Sequence, residues 1–481
     1  MQEVEHDNTD TTLELSPIDM RRLVDQAMER IVAHISSLPR QPSADVEGGE
    51  ALARSLVEPL PERGVPFAGL LDLLFEAAIP KSFNTAGPGY LAYIPGGGLF
   101  HSALADLIAD AVNRYVGVWI AAPGLAQLEA NVVRWFCDIV GYPEGARGIL
   151  TSGGSLANFT ALVTARRNRL PDNFLSGIIY ASDQVHHSIV KAAILAGFPG
   201  ANVREIPSDG QYRVRIDRLR QSIDADRRSG LVPFLVVGNA GTTNTGAVDD
   251  LEALSDLAEE EGLWLHIDAA YGGFFMLTER GKAAMRGLER SDSVTLDPHK
   301  GLFLPYGTGS LLVRDGETLR RAHEIDASYL PPMQQSRDLV DFCLYSPELS
   351  RDFRGLRVWL PFKMSGIGPF RANLDEKLDL AAWATAQLRS ISGIEIMAEP
   401  QLSIVAFRLT RPGAGIETEN RLNELLLKSI NSKKRVYLTG TTLGGRFVIR
   451  ICVLSFRTHS DRMHACIEDI RTSIDELLSR G

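Results

Sequence analysis

Short apolar runs alternate with amphipathic stretches through the middle of the chain. The stretches between the runs carry apolar residues at helical spacing, three or four positions apart. Continuous apolar strands separated by helices are typical of a mostly parallel sheet that helices cover on both faces. The pattern therefore predicts an α/β fold. The predicted strands lie at 148–151, 177–181, 233–238, 263–268, 293–296 and 310–313.

The two ends of the chain differ from this central region. Residues 1–99 contain a helix start at Ser16 followed by Pro- and Gly-rich segments. We interpret them as an N-terminal helical arm and not as an independent domain. A large α/β domain follows at 100–375, and a small C-terminal α+β domain is predicted at 376–481. The elements predicted for the small domain are a helix near 378–390, strands at 403–409 and 446–453, and a last helix at 459–478.

Length, composition and charge exclude several classes of protein. The 481 residues are 44% hydrophobic and 23% charged, which fits a soluble globular protein of the size of an enzyme. A net charge of −10 argues against general nucleic-acid binding, so we expect a small-molecule partner.

The start at 1–10 is acidic and polar, and no run of about 18 apolar residues occurs, so we expect a cytoplasmic protein. Disulfides and metal sites are not expected, because the cysteines lack paired spacing: Cys137, Cys343, Cys452 and Cys466.

A lysine and an aspartate follow two of the apolar strands. Lys300 comes just after the strand at 293–296, and burial there would make its amine lose a proton readily and attack an aldehyde. Asp268 ends the strand at 263–268, where a buried carboxylate requires a cationic partner. A protonated pyridine nitrogen would be such a partner. The two residues together predict a site for pyridoxal 5′-phosphate (PLP).

Three further strands are followed by polar turns. Gly153, Gly154 and Ser155 open a helix and could bind a phosphate with backbone N–H groups, although an ordinary capped turn is the alternative. His186 could lie on a cofactor ring or could be a structural histidine. The turn at Thr243 could direct hydroxyl groups at the cofactor or could be a plain Gly/Thr/Asn turn. Because ligands of parallel sheets bind beyond the carboxyl ends of the strands, we expect all these turns to converge.

At this point the chain resembles the group II PLP-dependent amino-acid decarboxylases, relatives of the aromatic-amino-acid, histidine and glutamate decarboxylases. The resemblance spans about residues 75–460 and implies the fold of type I PLP enzymes, which is that of aspartate aminotransferase. It also implies PLP as cofactor, a homodimer, and decarboxylation of an L-amino acid, with an aromatic one as a candidate. The motifs that carry it are Leu-Asp-Pro-His-Lys at 296–300, His-Ile-Asp-Ala-Ala-Tyr at 266–271, Ser-Asp-Gln-Val-His at 182–186 and Pro-Gly-Leu-Ala-Gln-Leu-Glu at 123–129.

The resemblance also implies roles for individual residues. Lys300 would carry the cofactor as an aldimine, Asp268 would hold the pyridine nitrogen protonated, and His186 would stack on the ring. The other residues implied to bind the cofactor are Gly154 and Ser155 with His299 at the phosphate, Thr243 near the ring, and Ala270 against its second face.

One departure from the family pattern concerns the proton donor. Members of the family usually carry a tyrosine in a mobile loop, and this chain has Phe342 at the matching place. Tyr345, three residues further on, could replace it, and water or His186 could also deliver the proton. In related plant enzymes phenylalanine at this place accompanies oxygen-dependent formation of aldehydes, so that reaction is an alternative, as is a homologue that binds PLP without turnover.

A second departure concerns the walls of the site. The tryptophan that precedes the Ala-Tyr-Phe-Pro motif in relatives acting on aromatic amino acids is absent from the corresponding stretch at 84–96. Asp297 replaces an asparagine common before Pro-His-Lys, and a carboxylate near the phosphate is unfavourable unless it is paired or turned away. The candidates that remain for the substrate pocket are Tyr93, Pro95, Trp119 and Phe342.

Overall fold

The computed structural model describes residues 13–324 and 339–479. The acidic start at 1–10, from which we expected no signal peptide, lies outside the described residues. The helices are α1 (Pro17–Ser37), α2 (Gly49–Ser55), α3 (Phe67–Asp72), α4 (Phe100–Val112), α5 (Pro123–Val140), α6 (Gly154–Arg169), α7 (Ser188–Leu195), α8 (Ile216–Arg228), α9 (Leu251–Glu261), α10 (Glu279–Ala284), α11 (Pro298–Gly301), α12 (Gly316–His323), α13 (Gly355–Ser365), α14 (Gly368–Arg389), α15 (Ile416–Ser432) and α16 (Ser460–Leu478). The strands are β1 (Arg147–Thr151), β2 (Gly177–Ser182), β3 (Val203–Ile206), β4 (Val232–Asn239), β5 (Trp264–Asp268), β6 (Ser293–Leu296), β7 (Gly309–Val313), β8 (Ile394–Ile396), β9 (Ile404–Leu409), β10 (Thr439–Leu443) and β11 (Arg446–Cys452).

The central sheet has seven strands in the order β1-β7-β6-β5-β4-β2-β3. Strands β3, β2, β4, β5 and β6 run parallel, whereas β7 is antiparallel to both of its neighbours, β6 and β1. The predicted mostly parallel sheet is therefore confirmed. The six predicted strands are all present, and the short strand β3 was not predicted because only its last residue is buried.

The central strands are apolar because they lie inside the main hydrophobic core. All residues of β2, β5, β6 and β7 are buried, and helix α6 packs across β4, β5, β6 and β7. The pairing of Asn239 with Asp268, and of Asp268 with Thr295, brings the carboxyl ends of β4, β5 and β6 to one edge of the sheet. This edge is where the polar turns of the sequence meet.

The C-terminal part forms a second, antiparallel sheet in the order β10-β11-β9-β8. Helices α14, α15 and α16 pack together with this sheet around a separate hydrophobic cluster. The α+β character expected for this part is confirmed, and α14 begins ten residues earlier than predicted, at Gly368.

The N-terminal arm carries many apolar side chains on its surface. Helix α1 is capped by Ser16, as expected, and buries none of its residues. Ile18 is 81% exposed, and Val57 and Leu60 beyond it are also exposed. No helix within residues 13–324 or 339–479 combines the length and the apolar character needed to cross a membrane.

Candidate active site

The turns after the parallel strands surround one cavity of about 290 Å³. All nine residues that the sequence suggested for cofactor binding line it: Gly153, Gly154, Ser155, His186, Thr243, Asp268, Ala270, His299 and Lys300. Asn158, Ser188, Asn239, Tyr271 and Asp297 also contribute to its walls. A cavity of this size suits a small cofactor, and it lies at the edge of the sheet where ligands of this architecture bind.

The turn at 152–155 is shaped for close approach of a ligand. Helix α6 begins at Gly154, so its first backbone N–H groups have no partner within the helix. A Cβ atom at Gly154 would lie 3.0 Å from the Oδ2 atom of Asp297 and 3.2 Å from the Cβ atom of Ala270. A side chain at this position would therefore crowd Asp297 and Ala270, and the positive end of the helix dipole faces the cavity.

Asp268 is held by uncharged donors. The Nδ2 atom of Asn158 donates to its Oδ2 atom at 2.9 Å, and the backbone N–H of Ala270 donates to its Oδ1 atom at 3.1 Å. Asp268 is 7% exposed, and no lysine, arginine or histidine nitrogen within the described ranges approaches its carboxylate to 4 Å. A buried carboxylate of this kind is stabilised by a cation arriving from the cavity.

A chain of hydrogen bonds fixes Asn158 from behind. The indole N–H of Trp264 donates to the Oγ atom of Ser293 at 2.9 Å, and this hydroxyl lies 2.9 Å from the Nδ1 atom of His266. The Nε2 atom of His266 is 3.1 Å from the Oδ1 atom of Asn158. With Nδ1 accepting and Nε2 donating, every member of the chain through to Asp268 is satisfied. Burial lowers the pKa of His266, which keeps the imidazole neutral.

Asn158 and His266 were not among the residues predicted for the site. Both positions could have been found from periodicity. Asn158 lies four residues after Gly154 and therefore on the same face of α6. His266 lies two residues before Asp268 and therefore on the same face of β5.

His186 follows β2 and lines the open cavity. The backbone N–H of Ser188 donates to its Nδ1 atom at 3.2 Å, and the hydroxyl of Ser188 lies 2.8 Å from the same atom. Asn158 in turn donates to that hydroxyl at 2.9 Å. Nδ1 is thus an acceptor, which places the proton of the neutral ring on Nε2. Burial lowers the pKa of His186, so the neutral form is favoured.

Lys300 lies in α11, directly after β6, and makes an ion pair with Asp297. Its Nζ atom is 2.8 Å from the Oδ2 atom of Asp297. Burial alone would lower the pKa of Lys300, but the carboxylate of Asp297 outweighs this effect and raises the pKa. Our expectation that burial makes this amine lose its proton readily is therefore wrong for the cofactor-free protein. The sequence indicated that the Asp297 carboxylate would have to be paired or turned away, and it is paired with Lys300.

His299 is fixed in one orientation beside this ion pair. Its Nδ1–H donates to the carbonyl oxygen of Thr308 at 2.6 Å, which leaves Nε2 directed at the cavity, 3.7 Å from the Oδ2 atom of Asp297. Burial lowers the pKa of His299, and the neighbouring Lys300 ammonium acts in the same direction.

The proposed substrate-pocket residues are not brought to this cavity. Tyr93 is 54% exposed, and Pro95 is buried in the neighbouring segment. Trp119 lies at the start of a 3-10 turn, and its backbone N–H donates to the Oδ1 atom of Asp341 at 2.6 Å. None of these residues, nor Phe342, is among the described residues that line the cavity.

Phe342 and Tyr345 instead belong to the main core. Phe342 is 1% exposed, and the guanidinium of Arg351 lies 5.1 Å from the centre of its ring. Tyr345 is also buried, which raises the pKa of its hydroxyl, and the charged groups nearest to it include Arg147 and Arg320. The hydroxyl of Tyr345 therefore does not face Lys300 within this chain.

The residues around the cavity fit PLP. Asp268 has no lysine, arginine or histidine nitrogen within 4 Å among the described residues and could pair with a pyridine N–H. The turn at Gly154 leaves free backbone N–H groups and no side chain where a phosphate would approach, and the amine of Lys300 opens on the same space. Neutral His186 supplies a flat imidazole beside them. The site thus offers separate partners for the pyridine nitrogen, the phosphate, the aldehyde and the ring face of this cofactor.

Known proteins resemble this chain over most of its length. A family model described as the pyridoxal-dependent decarboxylase conserved domain matches residues 75–410. An aromatic-L-amino-acid decarboxylase of Bacillus atrophaeus is 35% identical over 467 residues, covering 97% of each chain. The structure of Catharanthus roseus tryptophan decarboxylase in complex with L-tryptophan superposes with a TM-score of 0.90, at 26% identity, covering 97% of this chain and 100% of that one.

A further solved structure shares the fold. Rhodiola rosea 4-hydroxyphenylacetaldehyde synthase superposes with a TM-score of 0.88, at 24% identity, covering 96% of this chain and 99% of that one. The fold is thus that of the PLP decarboxylases, as the sequence predicted. From the family match over most of its length, the chain belongs to the pyridoxal-dependent decarboxylases, enzymes that use pyridoxal 5′-phosphate to remove the carboxyl group of an amino acid.

Proposed function

We propose that this protein decarboxylates an aromatic L-amino acid to the amine and carbon dioxide. The observation that carries the proposal is the opening of Lys300 and Asp268 onto one cavity, in a chain related over nearly its whole length to an aromatic-L-amino-acid decarboxylase. The relative whose structure contains L-tryptophan supports the same class of substrate.

Three residues would act on the ring of the cofactor and its reactive carbon. Lys300 would carry PLP through its Nζ atom, and Asp268 would hold the proton of the pyridine nitrogen. His186 would contact the ring in its neutral form, because Ser188 occupies its Nδ1 atom. When bound, PLP supplies an acceptor for the electron pair that the departing carboxylate leaves behind. Asp268 supports this chemistry because its negative charge keeps the pyridine nitrogen protonated.

The remaining residues would hold the phosphate and the ring edges. Gly154 and Ser155 would bind the phosphate through backbone N–H groups at the start of α6. His299 would lie beside it, and because Thr308 holds its Nδ1–H, its Nε2 atom could donate to a phosphate oxygen only when the ring is protonated. Ala270 would flank the ring because its side chain is small enough to leave the cavity open. Thr243 would lie beside the ring, where its carbonyl oxygen is fixed by the guanidinium of Arg450.

A proton must reach the α-carbon of the substrate after carbon dioxide leaves. Phe342 has no proton to give, and the structure places Tyr345 in the core. His186 lines the cavity with its Nε2 atom protonated, so we propose that His186, or a water molecule beside it, delivers this proton. The absence of a phenol at position 342 favours a second candidate, the oxygen-dependent conversion of the amino acid to an aldehyde.

We also propose that the protein is a homodimer. The arm at 1–99 exposes apolar side chains on α1 and beyond it, including Ile18 and Leu60, which a second copy would cover. The large domain at 100–375 would then hold the cofactor, with the small domain at 376–481 beside it. A cytoplasmic location remains our prediction.

The experiment that tests the function is a product analysis. The PLP-loaded protein is incubated in air with a panel of L-amino acids, and amine, aldehyde, carbon dioxide and peroxide are measured together. Amine and carbon dioxide from tryptophan, tyrosine or phenylalanine, without peroxide, support the proposal. Aldehyde with peroxide supports the second candidate, and turnover restricted to acidic or aliphatic amino acids contradicts the aromatic assignment. Asp268→Asn serves as the inactive reference.

A further inference from the structure

Asp297 lines the cavity together with the turn proposed to bind the phosphate. The side chain is 2% exposed, and a Cβ atom at Gly154 would be 3.0 Å from its Oδ2 atom and 3.3 Å from its Oδ1 atom. The Oδ1 atom is buried and has no hydrogen-bond partner within the described residues. A buried, unpartnered carboxylate oxygen thus lies in the cavity wall next to the N–H groups of the turn.

The charge of Asp297 is balanced by the amine that the cofactor would occupy. Among the residues that the structure describes, Lys300 is the one lysine or arginine whose charged group lies within 4 Å of the Asp297 carboxylate. The ring of His299 is near, but burial lowers its pKa, so it is neutral at neutral pH and does not replace the ammonium. A phosphate bound at the turn would therefore share this one cation with Asp297.

A carboxylate and a phosphate that share a buried site repel each other. The amide of an asparagine has the same shape but carries no charge, and it can donate a hydrogen bond to a phosphate oxygen. Replacing the aspartate by asparagine should therefore change mainly the affinity of the site for a phosphate group and should leave the shape of the site nearly unchanged.

We propose that Asp297 weakens the binding of the cofactor phosphate in this protein and so keeps the cofactor exchangeable. This inference rests on the proposed function, because it takes the turn at 153–155 as the phosphate site. It makes Asp297 a residue that determines cofactor affinity, through its contact with both the turn and Lys300.

The test uses the cofactor-free full-length protein and a matched pair of ligands. Pyridoxamine 5′-phosphate and pyridoxamine differ only in the phosphate, and neither has the aldehyde that reacts with Lys300. Calorimetry measures the dissociation constants of both for the unchanged protein, Asp297→Asn and Asp297→Ala. The control is Asp226→Asn, which also alters a buried carboxylate but lies at Arg204 and Tyr180, away from the cavity. Thermal unfolding shows that each variant is folded.

We expect both Asp297 variants to bind pyridoxamine 5′-phosphate at least about tenfold more tightly, the scale of removing one like charge from a buried site. Binding of pyridoxamine and the behaviour of the control should be unchanged. Equal or weaker binding of the phosphorylated ligand by the variants overturns the inference, as does an equal gain for pyridoxamine. Tighter binding by Asp297→Asn but not by Asp297→Ala would also overturn it, since the new amide and not the lost charge would then be the cause. If the unchanged protein does not bind pyridoxamine 5′-phosphate, the proposed phosphate site fails and this inference fails with it.

Discussion

The side-chain amide of Asn158 donates a hydrogen bond of 2.9 Å to the carboxylate of Asp268. The bond fixes the orientation of the carboxylate, and the same amide also holds Ser188 behind His186. We predict that Asn158→Leu, which keeps the approximate shape, lowers kcat about tenfold to a hundredfold, the scale of one hydrogen bond to a charged group. Steady-state kinetics and the absorbance of the bound cofactor measure the effect. Asn168→Leu is the matched control, because Asn168 lies at the far end of α6, and an equal loss in both variants would contradict a role at the site.

Stability should fall at acid pH because of His266. Burial lowers the pKa of His266 in the folded protein, whereas the unfolded chain has the ordinary value of about 6.5. Below that pH the unfolded chain binds a proton that the folded protein does not, so the free energy of unfolding decreases as pH falls. We predict that His266→Gln has a smaller decrease between pH 7 and pH 5. Denaturant unfolding at several pH values measures it, with the exposed His187→Gln as control. Parallel curves for His266→Gln and the unchanged protein would refute this explanation.

The fold and the cofactor-binding face could be predicted because each depends on local pattern. Buried parallel strands are apolar along their whole length, and the polar residues that follow them must meet at one edge. The pattern alone predicts that Gly154, His186, Asp268 and Lys300 lie together, and the structure brings them to one cavity.

Other features depend on contacts that the pattern does not contain. The direction of β7 is set by its pairing with β1, far away in sequence. Trp119 and Phe342 were assigned to the substrate pocket from residue type, but the Asp341 carboxylate binds the backbone of Trp119 and Phe342 packs in the core. The raised pKa of Lys300 arises from the position of Asp297, which residue types alone could not give.

Phe342 provides a test of the segment that it occupies. Its ring is buried against Arg351, so Phe342→Tyr would place a hydroxyl group in the core. We predict a loss of about 1–3 kcal/mol in the free energy of unfolding, the cost of an unsatisfied buried polar group, with no change in the ratio of amine to aldehyde. Denaturant unfolding and product analysis measure the two quantities. A shift toward amine at unchanged stability would show that this segment reaches an active site after all.

The proposed dimer can be disrupted through its arm. Ile18 on α1 is 81% exposed, and in a homodimer it would be covered by the partner. We predict that Ile18→Glu shifts the protein toward the monomer, since a charge buried at an apolar interface is unfavourable. Size-exclusion chromatography with light scattering measures the mass. Leu478→Glu, at the exposed end of α16, is the control, and a monomeric unchanged protein would contradict the dimer.

The most direct test of the account is to locate the covalent bond between protein and cofactor. The PLP-loaded protein is reduced with borohydride, digested, and analysed by mass spectrometry for a lysine that carries the pyridoxyl group. Lys191 lies only five residues after His186, so its modification is measured for comparison in the same digest. Lys300→Ala is the matched variant. The account predicts the modification on Lys300 and its absence in Lys300→Ala. A modification on Lys191 or another lysine, with Lys300 unmodified, would contradict the site described here.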